Sequence, residues 1–284
     1  MSGQDGISGY GAGGADTIIS VDDVARDAKR LAEEGPSREV IAGLVQGEPV
    51  LVIDGLFAGY GKMEILHGID LQVGKGQSLC LIGPNGAGKS TVLHSIYGFT
   101  NLMGGSITMN ETDITALSSN ERLKFGVAYI LQDNSVFPDM TVEENLWMGG
   151  FLMKDPADAH AAAERVFERN PRLAERRHMR AGVLSGGERR LLEFSRALVM
   201  DPDVLLVDEP SIGLEPRFID MVFEILDDLQ RNQGKTIIMV EQNAKKGLEF
   251  ADLGYVMVDG AIALAGPGDE LLENPEIGRL FLGG

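Results

Sequence analysis

The chain lacks any run of about 18 or more apolar residues, the length a helix needs to cross a bilayer, so it is expected to span no membrane. Cysteine is almost absent. Cys80 stands alone inside "SLCLI", which excludes a disulfide within the chain and favours a buried core thiol over a reactive one. The four histidines are scattered and repeat at no metal-ligand spacing. Positive charge is scarce: 25 Lys and Arg stand against 43 Asp and Glu, a formal net charge of −18. That sign disfavours a nucleic-acid or anionic-lipid partner. The N-terminus is glycine-rich and acidic, unlike a secretory signal peptide, and a cytoplasmic location is expected. One local exception to the acidity is Arg172, Arg176, Arg177 and Arg180, followed by Arg189 and Arg190. The plain reading is a solvated helical face; the alternative is a face that favours a nucleotide lying nearby.

What is present is an ordinary globular composition, 44% hydrophobic and 24% charged over 284 residues. That length gives one large domain or two small ones, with ample core. Residues 1–16 are glycine-rich and polar, and disorder is expected there. Residues 20–46 read as two short helices. Ser20 with Asp23 starts the first, Gly35–Pro36 breaks it, and Ser37 caps a second that carries Val40, Ile41 and Leu44. From about residue 50 the pattern turns to strands. "VLVIDGL" and the alternation Ile69, Leu71, Val73 predict half-exposed strands. "SLCLI", "VLLVD" and "TIIMV" are continuous apolar runs, as in buried parallel strands. Residues 216–233 predict a helix with Pro216 at its first position, Phe218, Val222, Ile225 and Leu229 on one face, and Gly234 after its end. Strands alternating with helices imply an α/β sheet with right-handed crossovers. Residues 141–196 interrupt it with a segment that reads as helical throughout, taken as an inserted helical subdomain.

Gly83, Pro84, Asn85, Gly86, Ala87, Gly88, Lys89 and Ser90 fit G-x-x-x-x-G-K-[ST], between the strand-like "SLCLI" and the helical "STVLHSIYG", which includes Thr91. The amides of such a loop encircle a phosphate, Lys89 reaches the β- and γ-oxygens, and the Ser90 hydroxyl coordinates Mg²⁺. "VLLVDEP" is an apolar strand that ends in two carboxylates. There Asp208 can hold Mg²⁺ through water, and Glu209 can act as general base on the attacking water. The puzzle is a second glycine turn, "LSGGE", which opens another helix suited to an anion at Ser185, Gly186 and Gly187.

With the phosphate loop and "VLLVDEP", that turn resembles the signature of ATP-binding cassette (ABC) ATPases, over residues 50–284. The resemblance implies a P-loop α/β core with an antiparallel β-subdomain and an inserted helical subdomain, and an N-terminal extension at 1–47. It implies that Ser185, Gly186 and Gly187, with Glu188 where glutamine is frequent, close over ATP held by a second ATPase subunit, in a homodimer or a heterodimer. Position by position, Tyr60 falls where an aromatic stacks on adenine. Gln132, in "AYILQD", falls at the loop that senses Mg²⁺ and the transmembrane partner. "PSIGLEP" matches the D-loop, with Ile212 for the usual serine and Glu215 for the usual aspartate. Gln242 stands where many members place a histidine against the γ-phosphate.

The C-terminal "MVEQNAKKGLEFADLGYVMVDG", with "VFPDMTVEENLWMG" and "AGYGKMEILHGI", resembles the F-type ATP-binding subunit of branched-chain (Liv-type) amino-acid importers. That family commonly carries "PEGR" where this chain has "LQDN". The resemblance implies an ATPase with ATP and Mg²⁺ as cofactors, a G-type or identical partner, separate permease subunits that hold it on the inner face of the cell membrane, and a solute-binding protein acting indirectly. "LSGGERR" is also similar to lipopolysaccharide-export ATPases, and urea or amide uptake is a further transport alternative. A soluble ABC ATPase acting on nucleic acid or ribosomes is disfavoured by the charge. A P-loop kinase or plain nucleotide-binding module has no need of the second glycine-capped helix.

Overall fold

The computed structural model describes residues 35–132 and 135–281. The first helix expected from the sequence, with Ser20 and Asp23, lies outside the described residues. Ser37 caps a helix over Arg38–Gly43, and its Oγ accepts from the Val40 amide at 3.4 Å. Four strands then form an antiparallel sheet in the order β2-β1-β4-β5: β1 (Pro49–Tyr60), β2 (Met63–Gly74), β4 (Asn101–Met109) and β5 (Thr112–Asp113). Alternation decides which face is covered. Ile69, Leu71 and Val73 are buried while Asp70 and Gln72 between them are only partly covered.

The second sheet has six strands in the order β10-β9-β3-β8-β7-β6. They are β3 (Ser78–Ile82), β6 (Val127–Ile130), β7 (Val204–Asp208), β8 (Thr236–Val240), β9 (Leu253–Val258) and β10 (Ala261–Pro267). Five run parallel, and β10 pairs antiparallel with β9 at the edge. Every residue of β3, β7 and β8 is buried, because helices and the other sheet cover both faces. Successive side chains feed different cores. Leu79, Leu81, Leu206 and Ile238 join the core under the phosphate-loop helix and the antiparallel sheet. Cys80, Leu205, Val207, Ile237 and Met239 join the core under the helix Pro216–Arg231. Burial pushes the Cys80 thiol far above its ordinary pKa and keeps it inert.

The helix Pro216–Arg231 stops two residues before the expected end, and Gly234, at φ 66°, turns the chain back toward β8. Its buried stripe is Val222, Leu226 and Leu229, while Phe218 and Ile225 lie at its partly covered margin. Leu226, absent from the sequence-read face, completes the i, i+4, i+7 row.

Between β6 and β7 lie the helices Val142–Gly149, Pro156–Arg169, Pro171–Ala174 and Gly186–Ala197. They share a core that includes Leu146, Phe167, Leu173 and Leu192. The segment is not helical throughout, as the sequence suggests. Turns follow Gly149 and Ala174, and Pro171 starts a fresh helix after Asn170 because it has no amide to continue the preceding one. The arginines do not form one solvated face either. Arg176 pairs with Glu188 at 3.3 Å, and Arg177 with Glu143 and Glu164 at 3.1 and 2.6 Å. Arg190 is buried, 2.6 Å from Glu193, and donates to the Leu131 carbonyl. Solvent access to such a pair is closed by the surrounding helices, which periodicity alone does not register.

Candidate active site

Strand order gathers the site. β8 lies between β3 and β7, and β6 flanks β7, all parallel. The carboxyl ends of these strands therefore bring Gly83–Ser90, Gln132, Asp208–Glu209 and Gln242 to one edge, where ligands of open α/β sheets bind.

The phosphate loop needs its glycines at two positions for separate reasons. A Cβ on Gly83 would lie 2.2 Å from the Met257 carbonyl oxygen, and Gly88, at φ 96°, caps the helix Lys89–Tyr97 in a left-handed conformation. Gly88 offers no side chain to the helix start, so the first amides of that helix stay available to an anion. Pro84 and Ala87 close the loop through a 3.2 Å bond, and the Gly260 amide holds the Ala87 carbonyl at 3.0 Å. Lys89 folds back over it, donating to the carbonyls of Gly83 and Pro84 at 2.9 and 3.0 Å. Burial lowers its pKa, and the nearby Glu209 and Asp208 carboxylates oppose that shift.

The Ser90 hydroxyl donates to Asp208 Oδ1 at 3.0 Å, and the Tyr129 hydroxyl donates to Asp208 Oδ2 at 2.8 Å. Both oxygens of the carboxylate are thus oriented from inside the protein. Burial and the Asp208 charge push the Tyr129 phenol up, so it remains a donor. Gln132 reaches Glu209, Nε2 to Oε2, at 3.1 Å. Glu209 has a positive φ of 42°, while its amide continues the ladder to the Val240 carbonyl at 2.9 Å. A left-handed glutamate costs roughly 1–2 kcal/mol, and the turn it makes aims the carboxylate off the strand end. Burial and the adjacent Asp208 charge raise the Glu209 pKa, with Lys89 acting the other way.

Ser185 caps the helix Gly186–Ala197 in a reciprocal box. Its Oγ accepts from the Glu188 amide at 3.3 Å, and its own amide donates to Glu188 Oε2 at 2.9 Å. The box uses the amides of Ser185 and Glu188 and leaves those of Gly186 and Gly187 to point out of the helix end. The two glycines differ. Among the described residues a Cβ on Gly186 would meet nothing within 4 Å, whereas one on Gly187 would lie 2.6 Å from the Phe218 ring. Gly186 faces open space, and Gly187 lets the helix pack on its own subunit. The hydrogen bonds of this turn stay within the helical layer, at Glu188 and through it Arg176.

Tyr60 ends β1 with its ring half exposed, edge-on to His94 with centroids 6.1 Å apart, and its hydroxyl is hydrogen-bonded to His94 Nδ1. Burial holds the His94 pKa below its usual value. The Gln242 side chain is exposed just beyond β8. In the D-loop, Ile212 is exposed and Glu215 pairs with Arg217 at 3.1 Å on the surface. The residues that sequence reading missed are Tyr129, on β6, and Glu241, just after β8. Glu241 carried the same signal as Asp208, a carboxylate at the end of an apolar run. Tyr129 carried none, because only strand order places β6 beside β7.

The profile of the ABC transporter family matches residues 66–212. The chain is 42% identical over 235 residues to the high-affinity branched-chain amino acid transport ATP-binding protein BraG of Pseudomonas aeruginosa, covering 83% of this chain and 100% of that one. It is 37% identical over 228 residues to the probable branched-chain amino acid transport ATP-binding protein LivF of Archaeoglobus fulgidus, covering 80% and 96%. The crystal structure of the ADP conformation of MJ1267, an ATP-binding cassette of an ABC transporter, superposes with a TM-score of 0.74 at 27% identity, covering 84% of this chain and all of that one. Similarity of this extent means that the chain belongs to the ABC transporter family as an ATP-hydrolysing nucleotide-binding subunit.

Proposed function

We propose that this subunit drives uptake of branched-chain amino acids or a related small polar solute, working with a second ATPase subunit and with permease subunits that hold it at the inner face of the cell membrane. The observation that supports the ATPase site best is the 3.0 Å bond from Ser90 to Asp208, which joins the phosphate loop to the carboxylate strand. The substrate class rests on BraG and LivF, whose own names give branched-chain amino acid transport.

The backbone N–H groups of the loop from Gly83 to Thr91, except at Pro84, which has none, cradle the phosphates, Lys89 leaves its loop carbonyls for the β- and γ-oxygens, and Tyr60 stacks on the adenine. Ser90 Oγ and Asp208 Oδ1 are hard oxygen donors close together, a set that suits Mg²⁺, a cation that keeps several waters, with Gln132 beside them. Bound there, Mg²⁺ supplies charge neutralisation of the phosphate oxygens. Glu209 takes the proton of the attacking water, and its raised pKa makes it the stronger base. Gln242 donates its amide to the γ-phosphate; unlike an imidazole it carries no titration near neutral pH. Ser185, Gly186, Gly187 and Glu188 present the free helix end to the partner's ATP. Tyr129, which donates to Asp208, also lines a groove with Tyr97, Phe137, Met148, Phe151 and Leu152, and Phe151 is 74% exposed. An apolar surface of that kind supports docking of a permease segment next to the hydrolysis site.

Lys89→Ala is expected to weaken ATP binding about tenfold to a hundredfold, the loss of a charge-assisted contact worth roughly 1.5–3 kcal/mol. Calorimetry checks this, and undiminished affinity contradicts the phosphate-loop assignment. The transport reading is tested in vesicles that hold this subunit, its permeases and the solute-binding protein. Leucine, isoleucine or valine on the binding protein is expected to raise ATP turnover severalfold. Stimulation only by urea, an amide or a lipid overturns the substrate class and leaves the ATPase intact.

A further inference from the structure

Glu241 is a carboxyl side chain where an apolar one would pack. It is 1% exposed, follows the buried β8, and its Oε2 is buried with no hydrogen-bond partner among the described residues. An unpaired buried oxygen is costly, so stability alone gives no reason for the residue. Its other oxygen is fully used. Glu241 Oε1 accepts from the Ser211 hydroxyl at 2.7 Å and from the Asn243 amide at 2.9 Å. Ser211 lies two residues beyond Glu209, and Asn243 directly follows Gln242. A second tie runs alongside, from the Glu209 amide to the Val240 carbonyl at 2.9 Å. Glu241 has no room to swing away, because Gly247 packs so closely that a Cβ there would lie 3.1 Å from Glu241 Cβ and 2.6 Å from Cys80 Sγ. The Gln242 side chain itself is exposed and is held by no hydrogen bond among the described residues. Its position is therefore set by the backbone on either side of it.

We infer that Glu241 is a positioning residue: it bolts the loop after Glu209 to the loop that carries Gln242, so that the base and the γ-phosphate donor face the reacting water as one rigid body. The inference rests on the roles proposed above for Glu209 and Gln242. Without it the two loops would be joined only at their strand ends, through the Glu209 amide and the Val240 carbonyl, and small misplacements of reacting groups cost rate steeply.

The test measures steady-state ATP hydrolysis and ATP affinity of the full chain in five forms: parent, Glu241→Ala, Glu241→Gln, Gln242→Ala and the double variant Glu241→Ala with Gln242→Ala. Glu241→Ala is expected to lower kcat about tenfold to a hundredfold while KM and affinity for ATP stay within about twofold. Glu241→Gln keeps the accepting oxygen and restores most of kcat. In the Gln242→Ala background, Glu241→Ala lowers kcat further by less than about twofold, because the two changes remove one function. Parental kcat in Glu241→Ala overturns the inference, and so does an undiminished loss on top of Gln242→Ala. If Glu241→Ala does not fold, Ser211→Ala and Ser211→Thr replace it: the alanine is expected to lower kcat alone and the threonine, which keeps the hydroxyl, to retain it. Equal activity of these two variants overturns the inference as well. Parental turnover in Gln242→Ala alone instead removes the underlying role of Gln242, a failure distinct from that of Glu241.

Discussion

Glu209→Gln is expected to bind ATP as tightly as the parent and to hydrolyse it about 10²–10⁴-fold more slowly, because an amide cannot accept the water's proton. The variant keeps the shape of the site. Glutamine fills the same volume, its oxygen can still accept from Gln132 Nε2, and its backbone can still make the bond to Val240. Binding and chemistry are therefore separated. ATP should accumulate unhydrolysed and hold the variant in its closed dimer, visible by light scattering on a sizing column. The pH profile carries the same information. A general base works only when deprotonated, so parental activity is lost as pH falls through the Glu209 pKa. Burial and Asp208 raise that pKa, which places the acid limb above the ordinary glutamate range. The limb should vanish in Glu209→Gln. Near-parental turnover in the variant would falsify the assignment of the base.

Ser185→Arg is expected to leave ATP binding to the single subunit within about twofold and to lower hydrolysis about a hundredfold or more, as when one preorganised anion donor is removed. The free amides of Gly186 and Gly187 sit at the helix end beside Ser185, and among the described residues a Cβ built on Gly186 meets nothing within 4 Å. A long cationic side chain at the cap fills the space that a partner's γ-phosphate takes in the proposed dimer. It also removes the capping box, which costs about 1 kcal/mol. Ser185→Ala controls for that loss, because it removes the cap without adding bulk. The decisive measurement is ATP-dependent dimerisation in a Glu209→Gln background, which Ser185→Arg should abolish. Weakened ATP binding by the single subunit would mean that the second glycine turn serves its own site.

Local chemistry made the chemical parts of the site legible in the sequence. Gly83–Ser90 fits a phosphate loop by spacing, and a carboxylate pair after an apolar run marks the end of a buried strand. Both facts depend on backbone conformation and strand burial, which neighbouring residues impose. The continuous apolar character of "SLCLI", "VLLVD" and "TIIMV" likewise required a sheet covered on both faces, and all three are buried strands of one sheet. The amphipathic period of residues 216–231 required a helix on that sheet.

Contacts between residues far apart in the chain were decided only by the tertiary structure. The order β3-β8-β7-β6 is not written in any local pattern, and it alone places Tyr129 against Asp208 and Ser211 against Glu241. The two signature glycines read alike in "SGG", yet Phe218, from another helix, crowds Gly187 and leaves Gly186 open. Arg190 reads as surface charge by composition and is buried on Glu193 by packing. In each case the deciding term is close packing or burial of charge, which depends on what lies across the interface. Sequence periodicity reports only which face of an element is apolar, not what meets it.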